Sequence, residues 1–218
     1  SFTANGIKYL HSDVVSKVEA GNKLQNSSGD ASWLTQTEMD EIIATAQTLG
    51  IEIVPLLNLP GHANAILDIA DNSAYNASIY STVSENTLNV TSDAACDFGY
   101  EIFKKYVDYF STKGCKYFNF GADEYGNDVG ENPHFDVLNG TGYQKLSAFI
   151  NRLAAYIGTK NMTPRTFNDA LYYNGWDMQT GTNTAIQKIQ CCYWSSGWGS
   201  YPVAAADTID GKDHAMIN

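Results

Sequence analysis

Lys116-Tyr117-Phe118-Asn119-Phe120-Gly121-Ala122-Asp123-Glu124-Tyr125 reads as a strand, Lys116 to Phe120, that runs through a Gly-Ala pair into two adjacent carboxylates. Short apolar runs of this kind are the strands of buried parallel sheets. Just upstream, Ser92 or Thr91 can cap a long helix carrying Ile102, Phe103, Tyr106, Val107 and Phe110, which ends near Gly114. Downstream, Tyr143 to Ile157 has Leu146, Phe149, Ile150, Leu153 and Ala154 at helical spacing, and Pro164 to Tyr172 follows as a strand.

The same alternation extends to both sides. Thr35-Gln36-Thr37-Glu38 has capping-box spacing, and Ile42, Ile43, Ala46 and Leu49 predict a helix over about 36–49, closed by Gly50. Ile51-Glu52-Ile53-Val54-Pro55-Leu56-Leu57 is almost wholly apolar and predicts a strand buried on both faces, leading into Asn58-Leu59-Pro60-Gly61-His62. Ile186 to Trp194 and Ala215 to Asn218 read as two more strands, and Asn26 to Asp30 as a surface loop.

Helices alternating with buried strands predict an α/β fold with a parallel sheet. No strand is followed by G-x-G-x-x-G, and polar, aromatic loops follow several strands, so a TIM (β/α)8 barrel fits better than a dinucleotide-binding sheet. Five strands are fewer than the eight of a closed barrel. The expectation is therefore one partial catalytic barrel domain over 1–218, covering roughly strands three to seven. It would begin in a loop, end within a strand, lack the first strands and the C-terminal strand, and be unstable and inactive if isolated.

Composition narrows the function. With 13 Lys plus Arg against 24 Asp plus Glu, the charge of -11 gives no basic footprint for nucleic acid. No run approaches the roughly 18 apolar residues of a membrane helix, so membrane insertion is not expected. Cys96, Cys115, Cys191 and Cys192 lack C-x-x-C spacing and read as buried thiols. The 14 Tyr and four Trp supply flat apolar faces of the kind on which sugar rings stack. Nothing in the chain specifies an oligomeric state.

Barrel active sites form at the C-terminal ends of strands, which is where Asp123 and Glu124 fall. Neighbouring acids at the mouth of an apolar strand disfavour each other's ionisation, the condition for one to donate a proton. Asn58 and His62 flank a Leu-Pro-Gly turn that directs both toward the strand mouth. Asn168-Asp169 and Tyr193-Trp194-Ser195 also lie at strand ends, where turn chemistry and core packing are the plainer readings. A metal-dependent hydrolase using His62, Asp123 and Glu124 is a weaker alternative. The four His include no H-x-H or H-E-x-x-H pair, so such a cage would rest mainly on carboxylates, and neither metal nor cofactor is expected.

Gly121-Ala122-Asp123-Glu124 after an apolar strand, with Pro60-Gly61-His62 upstream and Phe167-Asn168-Asp169 and Tyr193-Trp194 downstream, resembles glycoside hydrolase family 20. The longer run Phe118 to Tyr125 is most like bacterial surface hexosaminidases and lacto-N-biosidases. The resemblance implies a retaining enzyme acting on β-linked N-acetylhexosamine glycans, secreted or at the cell surface. By that resemblance, the substrate's own 2-acetamido oxygen attacks the anomeric carbon, giving an oxazolinium intermediate. Glu124 would be the acid/base, Asp123 would orient the acetamido N–H, and Asn58 and His62 would bind the sugar or support the acid. Trp194 would wall the acetamido-bearing ring, with Asn168 and Asp169 nearby. Family members commonly carry Trp where Asn168 aligns and Asp where Asn58 stands. They also use an Arg or other polar residue from the first strand, a Tyr from the seventh and a Trp from the eighth, which this sequence does not supply. Release of a disaccharide, as by a lacto-N-biosidase, and noncatalytic sugar binding are the alternatives.

Overall fold

Thr35 starts the first long helix by reciprocal capping: its backbone N–H donates to Glu38 Oε2 at 2.7 Å and its Oγ1 accepts from Glu38 N at 3.3 Å. The computed structural model describes residues 1–12, 14, 34–70, 86–125, 143–173, 176–177, 189–198, 201–202, 205–212 and 214–217. In chain order these give β1 (Phe2–Ala4), β2 (Ile7–Tyr9), α1 (Gln36–Thr48), α2 (Asn64–Ala70), α3 (Asp93–Thr112) and β3 (Tyr117–Asn119). They continue as α4 (Tyr143–Thr159), β4 (Thr163–Phe167), a 3-10 turn Asn168–Ala170, β5 (Tyr172–Tyr173), β6 (Trp176–Asp177) and β7 (Gln190–Cys192). The last are β8 (Gly197–Trp198), β9 (Tyr201–Pro202), α5 (Ala206–Asp210) and β10 (Met216–Ile217). The loop expected at Asn26 to Asp30 lies outside the described residues.

β3, β4, β7 and β10 form one parallel sheet in that spatial order. On the far side of β3, Pro55–Leu59 runs parallel to it. Asn119 N donates to Pro55 O at 2.9 Å, Leu57 N to Asn119 O at 3.1 Å and Leu59 N to Phe120 O at 3.0 Å. Among the described strands of this sheet the spatial order follows the chain order, without the reversal that marks a doubly wound sheet. The described strands form an arc of a (β/α) barrel.

Helix packing follows the apolar periodicity. α3 buries Ala95, Phe98, Gly99, Ile102, Phe103, Val107 and Phe110, and Phe103 and Phe110 meet the fully buried Phe118 edge-on. α4 buries Leu146, Phe149, Ile150, Leu153, Ala154 and Ile157. This core fixes β3, and so the point at which the two acids emerge.

Several expectations are corrected. Ile51–Leu57 is not a strand buried on both faces: Ile51 and Leu56 are exposed, and pairing is confined to the part beside β3. Pro55 has no N–H to extend the ladder, and no described strand lies on the segment's other side. The strand expected over Pro164–Tyr172 stops at Phe167, because the buried polar pair Asn168 and Asp169 turns as 3-10 helix and bonds sideways. The expected strands Ile186–Trp194 and Ala215–Asn218 are shorter, at β7 and β10, with 186–188 and 218 outside the described residues. The chain opens in a hairpin, not a loop, turning at Asn5 (φ 49°) and Gly6 (φ 78°). Ile42, Leu49 and Tyr106 are exposed despite their helical spacing. Cys115 and Cys191 are buried thiols as expected, whereas Cys96 and Cys192 are half-buried.

Candidate active site

The parallel order brings four loops to one end of the sheet: Asn58–His62, Gly121–Tyr125 after β3, Asn168–Asp169 after β4, and Tyr193–Ser195 after β7. All seven residues singled out in the sequence lie on these loops. Their side chains fall into an outer group around Asp123 and Glu124 and an inner group around Asp169.

The turn after β3 requires unusual backbone. Gly121, Ala122 and Glu124 have φ of 68°, 60° and 55°. A Cβ on Gly121 would collide with the Asn58 side chain, so glycine is needed there for both conformation and space. Asn58 Oδ1 accepts the Ala122 N–H at 2.9 Å, and Asn58 Nδ2 donates to Asp123 Oδ1 at 2.6 Å. One side chain therefore holds both the turn and the first carboxylate. Thr166, inside β4, donates its hydroxyl to Gly121 O at 2.7 Å, and Phe167 N donates to the same oxygen at 3.0 Å.

His62 stands opposite both acids. Its Nε2 is 3.5 Å from Asp123 Oδ2 and 3.3 Å from Glu124 Oε2, while the Asp123 and Glu124 side chains are 16% and 34% exposed. The Leu59–Pro60 peptide before it is cis. Gly61 lets the two loops touch, since a Cβ there would lie 2.9 Å from Asp123 O.

The inner group is buried. Asn168 is fully enclosed. Its Nδ2 donates to Ser195 O at 2.6 Å and its Oδ1 accepts from Trp194 N at 3.0 Å, tying the β4 and β7 loops together. Asp169, 4% exposed, accepts the Glu124 N–H at 2.6 Å on Oδ2 and the Trp194 indole N–H at 3.1 Å on Oδ1. Burial pushes its carboxyl up to about 6, opposed by those two N–H donors and reinforced by the charge of Asp123. Left-handed backbone costs a non-glycine residue such as Glu124 roughly 1–2 kcal/mol. A charge-assisted hydrogen bond of about 1.5–3 kcal/mol offsets that cost. Trp194 itself is 46% exposed and meets Phe167 edge-on with ring centroids 6.4 Å apart.

Comparison with known proteins decides the family. The model for glycosyl hydrolase family 20, catalytic domain, matches residues 10–208. The chain belongs to glycosyl hydrolase family 20. A relative, the lacto-N-biosidase of Bifidobacterium bifidum, is 24% identical over 210 residues, covering 80% of this chain and 18% of that protein. A family 20 structure, of the pneumococcal exo-β-D-N-acetylglucosaminidase, matches with a TM-score of 0.84 and 29% identity, over 100% of this chain and 52% of that one. The family 20 β-N-acetylhexosaminidase of Streptomyces coelicolor shares the fold, with a TM-score of 0.61 at 18% identity, over 92% of this chain and 37% of that one. This family 20 chain thus spans about half the length of the pneumococcal structure and a fifth of the lacto-N-biosidase. The barrel expected from the sequence is the fold it shares with these family 20 neighbours.

Within this family 20 site, His62, Asp123 and Glu124 each offer one ligand-type atom, all within 4.8 Å of one another. These are the residues of the metal alternative considered from the sequence. Thr166 and Gly121 are site residues that the structure adds to those expected from the sequence. Gly121 carried a signal, as the glycine at the strand's end, whereas Thr166 is one polar residue in an alternating strand.

Proposed function

We propose that this chain carries the acid/base machinery of a retaining glycosidase that removes terminal β-linked N-acetylhexosamine by substrate-assisted catalysis. The observation that carries the reading is the convergence of Asp123 and Glu124 on a single nitrogen, His62 Nε2. A conventional retaining pair holds its carboxyl groups about 5–5.5 Å apart on opposite sides of the scissile bond. Two acids that meet one imidazole from adjacent residues are poorly placed to flank the scissile bond, which supports a nucleophile from elsewhere. The 2-acetamido oxygen of the substrate supplies it.

In this mechanism Glu124, the more exposed acid, gives its proton to the glycosidic oxygen as the acetamido oxygen bonds to the anomeric carbon and the glycosidic bond breaks. Asp123, fixed by Asn58, accepts the acetamido N–H and stabilises the positive charge of the oxazolinium ring. Glu124, now a carboxylate, takes a proton from water, which adds to the anomeric carbon and reopens the ring with net retention. His62 orients both acids. Trp194 presents its exposed face to the sugar. Asn58 and Asn168 act through other groups, because their amides are engaged with Asp123, Ala122, Trp194 and Ser195.

A second reading, release of a disaccharide, is favoured by the similarity to the Bifidobacterium bifidum lacto-N-biosidase. The resemblance also supports a secreted or cell-surface bacterial location. No described helix is long and apolar enough to cross a membrane. The test is release of p-nitrophenol from β-N-acetylglucosaminide and β-lacto-N-bioside by the full-length protein, beside Glu124→Gln and Asp123→Asn. Release from the first, lost in both variants, supports monosaccharide removal, and release from the second alone supports the biosidase. Turnover of neither contradicts catalysis.

A further inference from the structure

We infer that Asp169 is a positioning residue that sets the general acid and the aromatic wall of the sugar pocket together, and that it does not contact the sugar. The inference rests on the role proposed above for Glu124. Asp169 is buried, and each carboxylate oxygen already accepts an N–H: Oδ2 from the Glu124 backbone at 2.6 Å, Oδ1 from the Trp194 indole at 3.1 Å. Both partners need holding. Glu124 sits in left-handed backbone at φ 55°, and the exposed Trp194 ring is aimed by its one polar atom.

An acceptor-only carboxylate suits two converging donors, and an amide does not. In Asp169→Asn the single amide oxygen can meet one N–H, while the NH2 is turned against the other. Glu124 would then lose its backbone anchor or Trp194 its aim. The adjoining Asn168 keeps the β4 and β7 loops joined through Ser195 O and Trp194 N, so the variant retains the architecture around the displaced group.

The chemistry provides a readout that general damage would not produce. A misplaced acid slows substrates whose leaving group must be protonated, and spares those whose leaving group departs as a stable anion. The experiment compares kcat/KM of the full-length wild type and Asp169→Asn on a 2,4-dinitrophenyl and an unactivated alkyl β-N-acetylglucosaminide, with Glu124→Gln in parallel. The expected result is a loss about 10-fold or more larger on the alkyl glycoside. Trp194→Phe, which removes the indole donor to Asp169 together with part of the exposed ring, should show the same leaving-group bias at smaller size, so the test survives if Asp169→Asn does not fold. Equal losses on both substrates in the folded variants would overturn the inference alone. Wild-type turnover unaffected by Glu124→Gln would overturn both it and the role of Glu124.

Discussion

Asn58 donates its side-chain amide to Asp123 across 65 positions of sequence, at 2.6 Å, while its carbonyl oxygen holds the Ala122 N–H. The carboxylate assigned to the acetamido group is therefore fixed from a different loop. Its precision depends on a residue with no acid/base chemistry of its own.

Asn58→Ala should keep the fold and lose rate. Two hydrogen bonds of about 1 kcal/mol each disappear, and Asp123 keeps only its contact with His62. We expect kcat/KM on p-nitrophenyl β-N-acetylglucosaminide to fall on the order of 10-fold, in line with the cost of misplacing a reacting group. Unchanged kinetics would show that Asp123 is held without Asn58.

Gly121→Ala should be worse than its size suggests. The added methyl strikes the Asn58 side chain at a position where φ is already 68°. Steric and conformational penalties together predict a loss of roughly 2 kcal/mol or more in denaturant unfolding, with activity falling further than in Asn58→Ala. A variant of wild-type stability would contradict the close packing of these loops.

The Asp169 carboxyl, raised from 3.8 to about 6, makes a signed prediction. The folded state holds this proton more tightly than the unfolded chain. Its contribution to stability is complete below pH 4 and is lost as pH rises through 6. Relative to Asp169→Asn, the wild type should lose about 2 kcal/mol of unfolding free energy between pH 4 and pH 7. A difference that is flat or grows over this range would contradict the burial of that carboxyl.

Chelation tests the remaining use of the outer group. His62, Asp123 and Glu124 could present three ligands, yet acid/base work by Glu124 needs no ion. Hydrolysis should be unchanged after exhaustive treatment with EDTA. Loss of activity restored by a divalent cation would revive the metal hydrolase.

The sequence showed β3 and its acids plainly because Phe118 and Phe120 are fully buried and Gly121 marks where the strand stops. The Thr35 capping box and the apolar stripes of α3 and α4 were legible for the same reason: local chemistry and tertiary packing agree there. Ile51–Leu57 misled because apolar content cannot tell a central strand from an edge. Asn5-Gly6 is itself a hairpin signal, and it forms the turn between β1 and β2. The roles of Asn58, Thr166 and Asp169 depend on partners 45 to 65 residues away, which no local pattern encodes.

The central claim is that the substrate's acetamido oxygen is the nucleophile. Its most direct test is a series of p-nitrophenyl glycosides in which the N-acetyl group carries zero, one, two or three fluorines, each weakening that oxygen. The account predicts that kcat/KM falls steeply with every fluorine. A flat series, or a glycosyl-enzyme trapped on a carboxylate of the protein, would contradict it.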